Sequence, residues 1–201
     1  MSTTRQEPAF SVAIYCGSRP GNDLTFTKVA QTVGHWIGEH GGRLVYGGGN
    51  NGLMGTVAQA TLDAGGTVYG VIPQALVNLE AAKSNCTELV VVQNMHERKA
   101  LMAEHADAFL SIPGGIGTME ELFEIWSWRQ LGYHTKPLGL LNVLGCYDAL
   151  LAFLSHSVQI GFMSEFQMSL LQVDDQPERL LERLVTQGGW SGQSPLLRNN
   201  L

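Results

Sequence analysis

The chain has 201 residues, 44% of them hydrophobic and 15% charged, with 12 basic against 18 acidic side chains for a net charge of −6. That length suits one domain with a sizeable buried core, and the acidic balance argues against a phosphate backbone, and so against nucleic acid, as partner. The 24 glycines are scattered, and the three cysteines (Cys16, Cys86, Cys146) form no C-x-x-C pair. Collagen, disulfide-scaffold and zinc-knuckle classes are thereby excluded.

No apolar run approaches a membrane span, and residues 1–9, with Arg5, Glu7 and Pro8, lack the apolar core of a signal peptide. The expectation is a soluble, cytoplasmic protein with no membrane partner. Its arm is residues 1–9, its folded domain 10–187, and its tail, rich in Gly, Ser and Asn, 188–201.

Short apolar runs alternate with longer amphipathic ones. Ser11–Cys16 reads as a buried strand stopped by Gly17-Ser-Arg-Pro-Gly-Asn22. Asp23 can cap a helix whose apolar positions Phe26, Val29, Val33, Trp36 and Ile37 recur at helical spacing until Gly41-Gly42. Strand Leu44–Tyr46, a glycine turn, a helix over Leu53–Ala64 and strand Thr67–Ile72 follow.

From Pro73 to about Asn85 no period is visible, and a long irregular loop in a compact domain usually serves function. Beyond it the pattern gives strand Glu88–Val92, helix Met95–Ala106, strand Ala108–Ile112 and helix Thr118–Leu131. Strand Pro137–Val143, helix Tyr147–Gln159, strand Leu170–Val173 and helix Pro177–Thr186 complete the series. Strands apolar on both faces, alternating with helices, predict an α/β doubly wound parallel sheet covered on each side. In such sheets ligands sit beyond the carboxyl ends of the strands, where the turns Gly17–Gly21, Gly47–Gly55 and Gly114–Gly117 all fall.

Gly47-Gly-Gly-Asn-Asn-Gly52 formally matches G-x-G-x-x-G, but the next strand ends Val71-Ile72-Pro73 without the acid that a dinucleotide ribose requires. Close approach of backbone to a smaller phosphorylated ligand is the better reading. Pro113-Gly-Gly-Ile-Gly-Thr118-Met-Glu-Glu121 is sharper. Its glycines let N–H groups converge at a helix start, which suits an anion. Thr118-x-x-Glu121 can equally be a capping box that merely satisfies that helix start. No lysine follows the last glycine, so this is no Walker loop.

His96-Glu-Arg-Lys99 places two cations at a helix N-terminus, against the macrodipole, which points to an anion or carboxylate nearby; for Lys99 a solvated turn is the better reading. The histidines lack ligand spacing, so no metal is expected, and no G-x-S-x-G supports a serine hydrolase. The Thr118–Leu131 helix is apolar most of the way round, with Trp126 and Trp128 on different faces, so it must be covered twice. The sheet supplies one cover. A second subunit or the C-terminal helices supply the other.

Cys16-Gly-Ser18, Tyr46-Gly-Gly-Gly49 with Gly52-Leu-Met-Gly55, Gly70-Val-Ile-Pro73, Met95-His-Glu-Arg-Lys99 and Pro113-Gly-Gly-Ile-Gly-Thr-Met-Glu-Glu121 occur in this order. Together they resemble the LONELY GUY (LOG) family, long mislabelled as lysine decarboxylases, from about Val12 to Leu184. The resemblance implies a Rossmann-like homodimer that hydrolyses the N-glycosidic bond of nucleoside 5′-monophosphates. The products are ribose 5-phosphate and adenine or an N6-substituted adenine (a cytokinin), and no cofactor is needed.

The resemblance makes Arg98 and Glu121 the catalytic pair. It puts Ser18, Glu80, Lys99, Gly114, Gly115, Ile116, Gly117 and Thr118 around substrate and phosphate. Glu124 shares the face of Glu121 and is expected to orient it or Arg98, whereas Glu120 is rotated away. Asn50-Asn51 departs from the usual small or aliphatic residues of the family's turn. A nucleotide sensor that binds without cleaving is the alternative, because folds and sites outlast activities.

Overall fold

The computed structural model describes residues 7–77, 82 and 85–192. Its centre is a seven-stranded, wholly parallel sheet in the order β4-β3-β2-β1-β5-β6-β7. The strands are β1 (Ser11–Tyr15), β2 (Arg43–Tyr46), β3 (Thr67–Pro73), β4 (Glu88–Val92), β5 (Ala108–Ser111), β6 (Leu138–Leu141) and β7 (Leu171–Asp174). The helices are α1 (Leu24–Glu39), α2 (Gly52–Asp63), α3 (Met95–Glu104), α4 (Ile116–Gln130), α5 (Asp148–Gln159), α6 (Glu165–Ser169) and α7 (Pro177–Gln187). Among them, no helix is long and apolar enough to cross a membrane.

Alternation along the strands divides the core. Val12, Ile14 and Cys16 face α1, α2 and α7, where Val33, Ile37, Val57, Leu180 and Leu184 close one layer. Ala13 and Tyr15 face α3, α4 and α5, where Met102, Leu122, Ile125 and Leu154 close the other. Each fully buried leucine or isoleucine contributes about 1.5–3 kcal/mol, so both layers hold the sheet flat against its helices. The architecture is the expected doubly wound one.

The order in which strands are added reverses at β1, which has β2 on one side and β5 on the other. The turns that leave β1 and β5 therefore border the crevice where such folds bind ligands.

Local boundaries follow local chemistry. Asp23 caps α1, its carboxylate accepting from the Thr25 N–H at 2.8 Å. Helix α6, which the periodicity leaves unassigned, is started by a capping box between Ser164 and Gln167. The irregular stretch after β3 opens with a 3-10 turn at Gln74–Leu76 and touches the glycine turn through a bridge between Gly49 and Ala82. The packed body reaches past residue 187: Trp190 stands edge-on to Phe10 and Trp36, with ring centroids 5.3 and 5.8 Å away. The start of the expected tail is thus fastened to the core.

Candidate active site

The three glycine turns meet at the crevice. Gly17 N–H donates to the Pro113 carbonyl at 3.0 Å, and Leu53 N–H donates to the Gly17 carbonyl at 3.0 Å. Gly52, at φ +55°, lies against the Ser18 carbonyl with no room for a Cβ. At that contact the left-handed conformation and the close approach both require glycine. Ser18 itself is exposed at the rim.

Helix α4 begins two residues earlier than the sequence pattern suggests. Gly115 is its N-cap, no side chain caps it, and its first turn holds no acidic residue. Met119 N–H makes the first backbone bond, to the Gly115 carbonyl at 3.1 Å, which leaves the Ile116, Gly117 and Thr118 N–H groups ahead of the ladder. The capping box between Thr118 and Glu121 is therefore not formed. Thr118 is instead buried in the first turn, its hydroxyl packed against Gly114, where any side chain would collide with it. Gly114, Gly115, Ile116 and Gly117 are exposed, and a Cβ on Gly115 or Gly117 would meet no described atom within 4 Å. An open, uncapped helix start with free N–H groups is a place for an anion.

Opposite this cradle stands α3. Its N-terminus is closed by Asn94, which accepts from Glu97 N–H at 3.0 Å, while Glu97 accepts from Gln93 N–H at 2.9 Å. This reciprocal cap, with Glu97 in the first turn, offsets the two cations that follow. Arg98 is 5% exposed. Its guanidinium lies over Gly47, where a methyl group would overlap Nη2, and Nη1 contacts the Met95 sulfur at 3.7 Å. Nη2 stands 4.0 Å from Glu121 Oε1, the two side chains being 6% and 12% exposed.

Lys99 turns to different partners. Its Nζ donates to Glu120 at 2.5 Å and to Glu124 at 2.9 Å. Burial pulls its pKa down, yet the hydrogen bonds to Glu120 and Glu124 outweigh that, and the net shift is above the ordinary lysine value. Glu124 thus pairs with Lys99 and not, as expected from the helix face, with Arg98.

The carboxylates reach the strand below. Burial first, then Glu121, Glu124 and Glu120, push the Tyr15 phenol well above its usual pKa, with Arg98 opposing. Burial and Glu121 likewise raise the Cys16 thiol, which leaves it a poor nucleophile.

The structure brings Arg98, Glu121, Thr118 and the glycines 114, 115 and 117 to one crevice. Glu80 lies outside the described residues. Two supports escape the sequence reading. Gly47 looks there like a phosphate-turn glycine, and its role as the floor under Arg98 leaves no local signal. Tyr147 donates its buried hydroxyl to the Ile112 carbonyl at 3.0 Å, bracing the turn after β5 from 35 residues away. Among the described residues, no three His, Cys, Asp or Glu side chains converge as metal ligands.

The family model described as "Possible lysine decarboxylase" matches residues 54–184. A protein named as a probable cytokinin riboside 5′-monophosphate phosphoribohydrolase from Oryza sativa subsp. japonica is 45% identical over 178 residues, covering 89% of this chain and 77% of its own. The cytokinin riboside 5′-monophosphate phosphoribohydrolase of Rhodococcoides fascians is 49% identical over 155 residues, covering 77% and 78%. The chain belongs to the LOG family.

A LOG enzyme of Arabidopsis thaliana, at 44% identity over 173 residues, covers 86% of this chain and 81% of its own. Among solved structures, the molybdenum cofactor carrier protein of Chlamydomonas reinhardtii superposes with a TM-score of 0.66 at 20% identity, covering 90% and 99%, a likeness of fold alone.

The decarboxylase description finds no support in the described lysines. Lys99 is held by two carboxylates, Lys136 donates to the Ala103 and Glu104 carbonyls, and Lys28 is exposed. None of these sits in the apolar pocket that pyridoxal chemistry needs.

Proposed function

We propose that this protein hydrolyses the N-glycosidic bond of adenosine 5′-monophosphate and its N6-substituted forms, releasing the free base and ribose 5-phosphate. The observation that carries the reading is the Arg98–Glu121 pair, buried beside an uncapped, glycine-lined helix start, in a chain of the LOG family. The 5′-phosphate lies at the N–H groups of Ile116, Gly117 and Thr118, with Gly114 and Gly115 giving it room and Ser18 at the rim.

Breaking the ribosyl C–N bond builds positive charge on the sugar. The Glu121 carboxylate, set beside the anomeric carbon, stabilises that charge and takes a proton from the attacking water. The water oxygen bonds to the anomeric carbon, the base departs with the electron pair of the broken bond, and the proton that water gave to Glu121 passes to the base, which restores the carboxylate. Arg98 fixes the substrate and favours charge on the leaving base. The remote phosphate supplies the binding energy that positions the sugar.

A second copy of the chain is the proposed partner. Phe153, Phe162 and Phe166 are 63%, 85% and 67% exposed on the α5–α6 side. Beside them Phe123, Gln130 and Met163 line a groove. Helix α6 covers part of α4, since Trp126 Nε1–H donates to the Gln167 carbonyl at 2.9 Å, yet Phe123 stays 39% exposed. The thiols of Cys16 and Cys146, outside any disulfide, support a reducing compartment, the cytoplasm.

Base release from AMP, isopentenyl-AMP and adenosine, followed by chromatography, tests the reaction. Release from the two nucleotides, with adenosine at least tenfold slower, is the expected result. Binding of AMP without release points to the sensor, and equal cleavage of adenosine and AMP removes the phosphate's role.

A further inference from the structure

Three carboxylates, Glu120, Glu121 and Glu124, crowd two turns of α4, and two cations, Arg98 and Lys99, approach from α3. Adjacent residues on a helix point about 100° apart, so Arg98 and Lys99 divide the acids between them. Arg98 stands 4.0 Å from Glu121, while the ammonium of Lys99 holds both Glu120 and Glu124 at hydrogen-bond distance. The Lys99 side chain is 11% exposed, and two short contacts occupy it.

We infer that Lys99 is a positioning residue: it binds Glu120 and Glu124 away from the crevice, so that Glu121 alone is presented to Arg98 and the sugar. The inference rests on the proposed phosphoribohydrolase reading and departs from the substrate contact that family resemblance implies for Lys99.

Among the described residues, the charged and titratable groups around Glu121 are Arg98 and Lys99 from α3, Glu120 and Glu124 from its own helix, and Tyr15 and Cys16 from β1. Without the Lys99 charge, two like charges one turn or less from Glu121 lose their counter-ion, and Glu121, itself only 12% exposed, is reached by them through little water. Arg98, the nearest described cation that remains, is then drawn toward Glu120 and Glu124 as well as toward Glu121. Substrate binding through the phosphate is untouched by this, because the glycine cradle lies on other groups.

The test uses the full chain with Lys99→Met and the double variant Lys99→Met/Glu124→Gln, with AMP as substrate. Lys99→Met is expected to lower kcat about tenfold or more, with KM and the calorimetric Kd for AMP within about twofold of wild type. The double variant regains most of the lost kcat, a coupling that a lysine acting on the substrate does not produce. Lys99→Arg, which retains the charge and donors, keeps at least a third of wild-type kcat.

A tenfold weaker AMP affinity in Lys99→Met with kcat preserved, and no recovery in the double variant, would overturn the inference and make Lys99 a phosphate ligand. If Lys99→Met does not fold, the same two outcomes are read from Lys99→Gln. A wild type that binds AMP without cleaving it sinks the hydrolase reading instead, and the affinity measurement still decides the role of Lys99.

Discussion

Two places in this molecule set arginine against a buried carboxylate, and they are built to opposite ends. Asp174, at the carboxyl end of β7, is saturated. It accepts from Arg179 Nε at 2.9 Å and Nη2 at 2.5 Å, from Arg183 Nη2 at 2.6 Å and from Gln176 N–H at 2.9 Å. All its donors come from the turn and helix that immediately follow, so the cluster is local and stitches α7 to the sheet. Arg98 and Glu121 come from different helices, are both buried, and stand 4.0 Å apart, beyond hydrogen-bond reach of each other. At that spacing the pair itself returns less than a tight pair does. The tight cluster serves the fold, whereas the looser pair leaves between its two side chains the space that the proposed substrate site requires.

Glu121→Gln separates the two roles most strongly. It keeps the shape and removes the charge, so kcat for AMP is expected to fall by about 10²–10⁴-fold, with Tm moving by no more than about 4 °C. A comparable loss of Tm with kcat intact would assign Glu121 to the fold and erase the contrast. Gly47→Ala attacks the other partner. The added methyl overlaps the guanidinium, and a displacement of about 1 Å in a positioning group costs up to about 10²-fold. Circular dichroism should be unchanged while kcat/KM falls about 10- to 100-fold. Unchanged kinetics would mean that the position of Arg98 is immaterial.

The same contrast explains what the sequence made legible. Local signals travelled well: Asp23 as a cap, Gly41-Gly42 as a stop and the strand–helix alternation all match the structure. The chain order of the Arg-Lys helix start and the P-G-G-x-G-T-x-x-E turn was enough to bring out the family. The cap of α4 was misplaced because Thr118-x-x-Glu121 imitates a capping box, whereas three glycines let the helix begin earlier, at Ile116. Pairings across the chain left no trace. Whether Glu124 meets Arg98 or Lys99 depends on how α3 and α4 are rotated about their axes, and the floor that Gly47 gives Arg98 spans 51 positions. Helix α6 was readable from Ser164-x-x-Gln167, but five residues are too few to show a period.

Asp174→Asn probes the fold-serving cluster and has the smallest effect. The Asp174 carboxyl is held well below the usual carboxylate range by hydrogen bonds from Arg179, against an opposing push from burial, with Gln176 N–H and Arg183 adding to the fall. A group whose pKa is lowered by folding stabilises the fold above its unfolded value, near 3.9, and loses that contribution as pH drops toward the folded value. Arg179 and Arg183 are 61% and 44% exposed, so solvent screens much of the attraction, and the charged hydrogen bonds are worth about 1–2 kcal/mol together. Denaturant melts should therefore show Asp174→Asn less stable by that amount at pH 7, with kcat for AMP unchanged. As pH falls below about 4 the unfolded wild type protonates first, and the two proteins converge as pH approaches the lowered native value. A gap that stays constant down to pH 2 would mean that Asp174 contributes by packing rather than charge, and the contrast with the Arg98–Glu121 pair would then be one of shape alone.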